Sequence, residues 1–127
     1  MKLAADRTHP AMQPARFEPA IDIEHLARMT MGEPGLDHEV LILFERQAGI
    51  LLARMRDAPA PVVAAFAHTL KGSARGIGAW RVAEAAGAVE AQAVQPDDRA
   101  AADALAQLAL AVHEARALIA DILDARS

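Results

Sequence analysis

The chain has 127 residues, of which 54% are hydrophobic and only 3% aromatic, a composition that favours one domain of closely packed helices. Its formal net charge of −4 argues against nucleic-acid binding, and the absence of cysteine excludes disulfides, thiolate metal sites and a cysteine nucleophile. No apolar run is long enough for a membrane span or a signal peptide, so we expect a soluble cytoplasmic protein.

The first part of the chain predicts a tail followed by a short helix. Residues 1–20 carry three prolines among polar residues without an apolar period, which predicts a flexible tail. The domain is expected over residues 21–127. Asp22 is the expected N-cap of the first helix, because its carboxylate can accept from the free amides of the first turn. Ile21 and Leu26 flank it as a hydrophobic staple.

Two longer helices follow. The same capping arrangement at Asp37 predicts that the second helix begins there and runs to about Ala58. Pro59 and Pro61 then end it and favour the first turn of the third helix. The third helix is expected to end around Gly76–Gly78, where two glycines interrupt the pattern.

The last two helices complete the predicted domain. The fourth is alanine-rich and spans about residues 79–94, after which a Pro-Asp-Asp sequence breaks the chain and supplies an N-cap. The fifth carries an apolar seam at alternating steps of three and four residues. We therefore predict an all-α fold, an antiparallel four-helix bundle with an additional short N-terminal helix as a lid. The seam residues are Leu105, Leu108, Val112, Ala115, Ile119 and Ile122.

The third predicted helix carries His68, Lys71 and Gly72. Residues three and four apart share a helix face, so the imidazole lies beside an ammonium group and next to a position without a side chain. A helical wheel places the core on the opposite side of this helix and His68 toward solvent. The residues assigned to the core side are Val62, Val63, Phe66, Leu70, Ser73, Ala74 and Ile77.

The surroundings of His68 narrow the chemistry it can perform. Metal binding needs several ligands at fixed spacing, and the other histidines are scattered, so no metal is expected. General acid–base catalysis needs a pocket, which a convex helix face lacks. Nucleophilic attack on phosphorus fits, because neutral imidazole is available at neutral pH and a partner can supply the pocket. Gly72 would admit that partner, since a mid-helix glycine otherwise costs about 1 kcal/mol relative to alanine.

The segment AHTLKGSARGIGAWRVAEAAGAVE resembles the signature of histidine-containing phosphotransfer (HPt) domains, H-x-L-K-G-S followed by a glycine and an alanine-rich helix. The resemblance covers about residues 20–125 and implies the same bundle architecture. It implies that His68 is the phosphoacceptor, that Lys71 stabilises the phosphoryl group and that Gly72 provides access. The residues expected at the partner-binding surface are Ala64, Ala65 and Arg75.

Three further positions bear on the site. Glu90 matches a position where chemotaxis-type members use a glutamate to orient the histidine ring, and an exposed glutamate on a solvated face is an equal alternative. Gly87 stands where those members have a second histidine, which argues against that subtype. Trp80, the only tryptophan, is expected to pack at the corner between the third and fourth helices.

We therefore expect a phosphorelay protein that exchanges a phosphoryl group with receiver domains of response regulators or hybrid histidine kinases. It would be a stoichiometric carrier without a cofactor, with Mg²⁺ on the receiver. The alternative is an HPt-like adaptor that binds a receiver or kinase without accepting phosphate. A kinase is rejected because the sequence has no glycine-rich nucleotide loop. A monomer is expected, since one bundle buries every apolar stripe.

Overall fold

The computed structural model describes residues 19–94 and 97–126, which form five helices. No strand occurs within these ranges, so the predicted all-α class is confirmed. The predicted tail over residues 1–20 lies mostly outside the described residues and stays a prediction, as does the domain boundary after it. The helices are α1 (Ile23–Met29), α2 (Leu36–Met55), α3 (Ala60–Ile77), α4 (Trp80–Gln92) and α5 (Asp98–Arg126).

The four longer helices form a closed ring. Helix α2 packs against α3, α3 against α4, α4 against α5, and α5 returns to α2. Short connections make each helix antiparallel to the next, as in an up-down-up-down bundle. Helix α1 is the additional element and lies against α3. No helix in the described part of the chain is both long and apolar enough to cross a membrane.

Local sequence signals set most helix ends. The Asp22 carboxylate accepts from the backbone N–H of His25 at 3.0 Å, so the predicted N-cap of α1 is confirmed. Asp97 caps α5 in the same way, through the backbone amides of Arg99 and Ala100. Helix α3 ends at Gly78, whose φ of 81° is a left-handed conformation that glycine adopts without a steric penalty.

The start of α2 differs from the prediction. Asp37 is not its N-cap, because the helix begins at Leu36 after Gly35. Gly35 has a φ of 86° and enters the helix without a side-chain cap. Asp37 lies in the first turn, where its carboxylate accepts from the backbone N–H of His38 at 2.8 Å. The helix also ends at Met55, before the predicted end near Ala58.

The core is built largely from alanine and aliphatic residues, with the α5 seam at its centre. Alanines with no exposed surface occur on each of the helices α2 to α5 and let the helix axes approach closely. The buried α5 residues all belong to the predicted seam, and its end residues, Leu105 and Ile122, are partly buried. The buried seam residues are Leu108, Val112, Ala115 and Ile119.

The core-facing side of α3 is rotated from the predicted one. Ala67 is fully buried, although the helical wheel did not place it in the core, and Val62 is 39% exposed. The buried side is therefore turned toward Lys71. The reason is that α4 makes the most extensive contact with α3 and packs on that side, which a wheel of one helix does not reveal.

Helix α1 and the residue before it contact the corner between α3 and α4 through hydrogen bonds and a ring contact. The backbone N–H of Asp22 donates to the carbonyl of Gly78 at 2.8 Å, and the indole N–H of Trp80 donates to the Asp22 carboxylate at 3.0 Å. The His25 ring packs on Trp80 with 4.7 Å between centroids, and its Nε2 lies 3.0 Å from the Arg75 carbonyl oxygen. Trp80 thus lies at the predicted corner.

Candidate functional site

His68 lies in the middle of α3, on the surface of the bundle. Its side chain is 68% exposed, as the helical wheel predicts. Its Nδ1 atom is 2.9 Å from Oε2 of Glu90, which reaches across from α4. The fold therefore holds the imidazole from one side and leaves most of the ring open to a partner.

Glu90 is shared between two partners. Its second oxygen, Oε1, lies 2.8 Å from Nζ of Lys71. This contact between the ammonium and the carboxylate is an ion pair. The side chains of Lys71 and Glu90 are 22% and 30% exposed, respectively. One carboxylate thus contacts both His68 and Lys71 of α3, and Glu90 is partly buried between the two helices.

The charges around Glu90 keep its carboxylate ionised. The Lys71 ammonium, with a smaller contribution from His68, holds the pKa of Glu90 below its ordinary value despite partial burial. Glu90 is therefore an ionised acceptor at neutral pH, which assigns the proton of neutral His68 to Nδ1 and the lone pair to Nε2. Such a ring is a nucleophile at Nε2. Within residues 19–94 and 97–126, no cluster of three or more histidine or acidic side chains forms a metal site.

The path to the ring is open next to Gly72. A Cβ atom added at Gly72 would meet no atom within 4 Å, and Ala65, one turn before His68, is exposed. Ala64 is half-buried. Arg75 is exposed, and its carbonyl oxygen contacts His25 of α1. On this face of α3, the residues one turn from His68 therefore include the small residues Ala64, Ala65 and Gly72.

Exposed apolar residues also occur on α2 and at the start of α3. Leu43 is 62% exposed, and Ile50, two turns further along, is also exposed. Val62 of α3 adds to the exposed apolar residues of these two helices. The shallow depression between α2 and α3 is lined by Val40, Leu43, Phe44, Gln47, Ser73 and Ile77.

Sequence reasoning missed how Lys71 is held. It assigned Lys71 to the phosphoryl group alone, whereas the structure pairs the ammonium with Glu90. Gly87, one turn before Glu90 on α4, lies under the Lys71 side chain, and a Cβ there would be 3.6 Å from Lys71 Cδ. The available signal was the pair of small and acidic residues three apart on α4, facing a lysine whose helix packs there.

Comparison with known proteins identifies the family. The family model of the Hpt domain matches residues 39–124, a stretch that includes His68, Lys71 and Glu90. The chain belongs to the Hpt domain family. The resemblance carried by the H-x-L-K-G-S sequence is thereby confirmed.

Solved structures show the same fold. The HPt domain superimposes on a histidine-containing phosphotransfer protein from rice with a TM-score of 0.74 and 22% identity, covering 94% of this chain and 91% of that chain. A histidine-containing phosphotransfer protein from maize gives a TM-score of 0.72 and 22% identity, covering 93% of each chain. At this identity the likeness concerns the fold. No curated protein sequence matches this HPt domain.

Proposed function

We propose that this HPt domain relays phosphoryl groups between receiver domains, with His68 as the phosphoacceptor. The observation that carries the proposal is the exposed imidazole held through Nδ1 by an ionised carboxylate. The protein would be a stoichiometric carrier that has no nucleotide site of its own and acts in the cytoplasm. Its partners would be receiver domains of response regulators or hybrid histidine kinases.

The transfer step follows from the tautomer. The Nε2 lone pair of His68 attacks the phosphorus of an aspartyl phosphate, and the P–O bond to the aspartate breaks with its electron pair on the carboxylate oxygen. The Nδ1 proton stays in place, so the ring becomes an imidazolium beside the Glu90 carboxylate. Glu90 would thus orient the ring and balance its new charge. The second transfer is the reverse, onto another aspartate.

This protein and the receiver domain would each supply part of the charge that stabilises the phosphoryl group and part of the surface that surrounds it. Lys71 would stabilise the phosphoryl group, since phosphoryl transfer depends mainly on positioning and electrostatics. The Mg²⁺ ion is expected in the acidic pocket of the receiver. That pocket would close over Gly72, Ala64 and Ala65, with the apolar residues of α2 beside it and Arg75 at the rim. The small residues let a concave partner reach a convex site.

The test is transfer of radiolabel from a phosphorylated receiver domain. We expect acid-labile label on the wild-type protein and none on His68→Gln, while His113→Gln, an exposed histidine on α5, serves as the matched control and accepts label normally. Label on His68→Gln contradicts the proposal. Receiver binding without label on any variant supports the adaptor instead.

A further inference from the structure

We propose that the Glu90 carboxylate shortens the lifetime of the phosphoryl group on His68 and so sets how fast the charged carrier discharges. This rests on the proposed function and concerns regulation of the same site. Glu90 acts through Nδ1 of the ring rather than on the phosphorus, so it is a positioning residue. The claim concerns the charge of Glu90, separately from its ability to hold the ring in place.

The proton on Nδ1 decides how well the His68 ring acts as a leaving group. When the P–N bond of a phosphorylated ring breaks, its electron pair returns to Nε2 and the phosphoryl group passes to water or to an aspartate. If Nδ1 carries a proton, the leaving group is neutral imidazole; if it does not, the leaving group is the much poorer imidazolate. An opposite charge in contact favours the protonated, charged form of a group. Glu90 Oε2, 2.9 Å from Nδ1, therefore favours the form that discharges.

The Glu90 carboxylate is itself held in its ionised form. Its pairing with Lys71 at 2.8 Å keeps the carboxylate ionised, so the charge is present throughout the neutral range. Lys71 is in turn held over Gly87, where no side chain separates it from α4. The two helices thus fix a negative charge at the one ring nitrogen that does not carry the phosphoryl group.

The charged side chains in contact with this site come from α3 and α4. Lys71 comes from α3 and Glu90 from α4. The α2 residues that line the depression beside α3, such as Val40, Leu43 and Gln47, are uncharged. On α1, Asp22 and His25 contact Trp80 and the Arg75 carbonyl, at the far corner of α3. Glu90 is therefore the acidic group in contact with the ring.

The experiment charges the protein without a partner. Purified wild type, Glu90→Gln and the control Glu84→Gln are phosphorylated with phosphoramidate, the reagent is removed, and phosphohistidine is followed over time by ³¹P NMR. Glutamine keeps an acceptor oxygen for Nδ1–H but removes the charge. We expect Glu90→Gln to lengthen the lifetime about five- to tenfold at pH 8, and Glu84→Gln, an exposed residue of α4, to match wild type.

A pH profile separates charge from structure. The discharge rate should fall with rising pH as Nδ1 loses its proton, and the midpoint of that fall should lie at higher pH in wild type than in Glu90→Gln. The difference should vanish in mild acid, where the ring is protonated in both. Equal lifetimes and midpoints in the two proteins overturn the inference alone. A wild-type protein that takes no label at His68 overturns the proposed function as well.

Discussion

Gly72 stands one helical turn beyond His68, at a point where a side chain would meet no atom of the protein within 4 Å. Its glycine therefore has no internal packing reason. Because glycine is unfavourable in a helix interior, the protein gives up stability at the position where the proposed function has a partner approach.

Substitutions at Gly72 should therefore have opposite effects on the free energy of unfolding and on the rate of phosphoryl transfer. Gly72→Ala should stabilise the protein by about 0.5–1 kcal/mol, measured by urea denaturation. Gly72→Leu should fold equally well, yet lower the rate of transfer from a phosphorylated receiver by about tenfold or more, since misplacing the reacting groups by an ångström is costly.

Gly76 provides the control for that experiment, because a Cβ there also meets no atom within 4 Å, one turn further from His68. Gly76→Leu should fold and retain most of the transfer rate. A Gly72→Leu variant with an unchanged transfer rate would show that nothing bulky approaches over this position.

At the level of single residues, spacing along the chain predicted what lies on one helix, whereas Glu90 on α4 was suggested by the family resemblance alone. The spacing of His68, Lys71 and Gly72 places them together by helix geometry alone. The contact of Glu90 with both His68 and Lys71 spans two helices, and it depends on the rotation of α3 against α4 and on side-chain rotamers. Neither quantity can be read from spacing along the chain.

Among the helices, α1 depends on one aspartate. Asp22 caps α1 and also accepts from the indole of Trp80 on α4. The Trp80 hydrogen bond first, and the His25 amide second, hold the pKa of Asp22 below its ordinary value of 3.8. A carboxyl whose pKa is lowered by folding stabilises the folded state above its unfolded pKa, and the stabilisation is lost as the pH falls further.

We therefore expect acid to loosen the corner between α1 and α4. As the pH falls below 3.8, the fluorescence of Trp80, the only tryptophan, should change toward that of a solvated indole. In Asp22→Asn this pH-dependent change should be much smaller, because asparagine has no charge to lose. Asp97→Asn, which alters the N-cap of α5, is the matched control and should respond like wild type. A wild-type response in Asp22→Asn would contradict the assignment.

The predicted helix ends agree with the structure where a capping or turn residue marks them. The predictions disagree where a neighbouring residue or a neighbouring helix determines the start of a helix or its buried side. Gly78 ends α3 and Asp22 begins α1 as predicted. Asp37 does not cap α2, because the left-handed Gly35 already starts the helix. Helix ends depend on a few local residues, whereas the buried side of a helix depends on which neighbour covers it.

For the whole molecule, the bundle leaves no long apolar seam uncovered on α5. The seam residues Leu108, Val112 and Ile119 are buried inside the ring of helices. We therefore predict a monomer. Sedimentation velocity should show a single species of one chain over a wide range of concentrations, and a tight dimer would contradict the prediction. Leu43→Ser on α2 is a useful companion, since its exposed side chain should affect receiver binding and not the sedimentation coefficient.

The position of His68 on the outside of one helix also limits how many partners can use the site at the same time. In the proposed relay, a single exposed face with one nucleophile admits one partner at a time, so the receiver domain that delivers the phosphoryl group must leave before the next can bind. The rate of the relay then depends on how fast each receiver domain dissociates, and a very tight complex would stop the relay just as a failure to bind would. Selection on such a carrier should favour short-lived complexes with receiver domains, whose residence time is shorter than the lifetime of the phosphoryl group on His68.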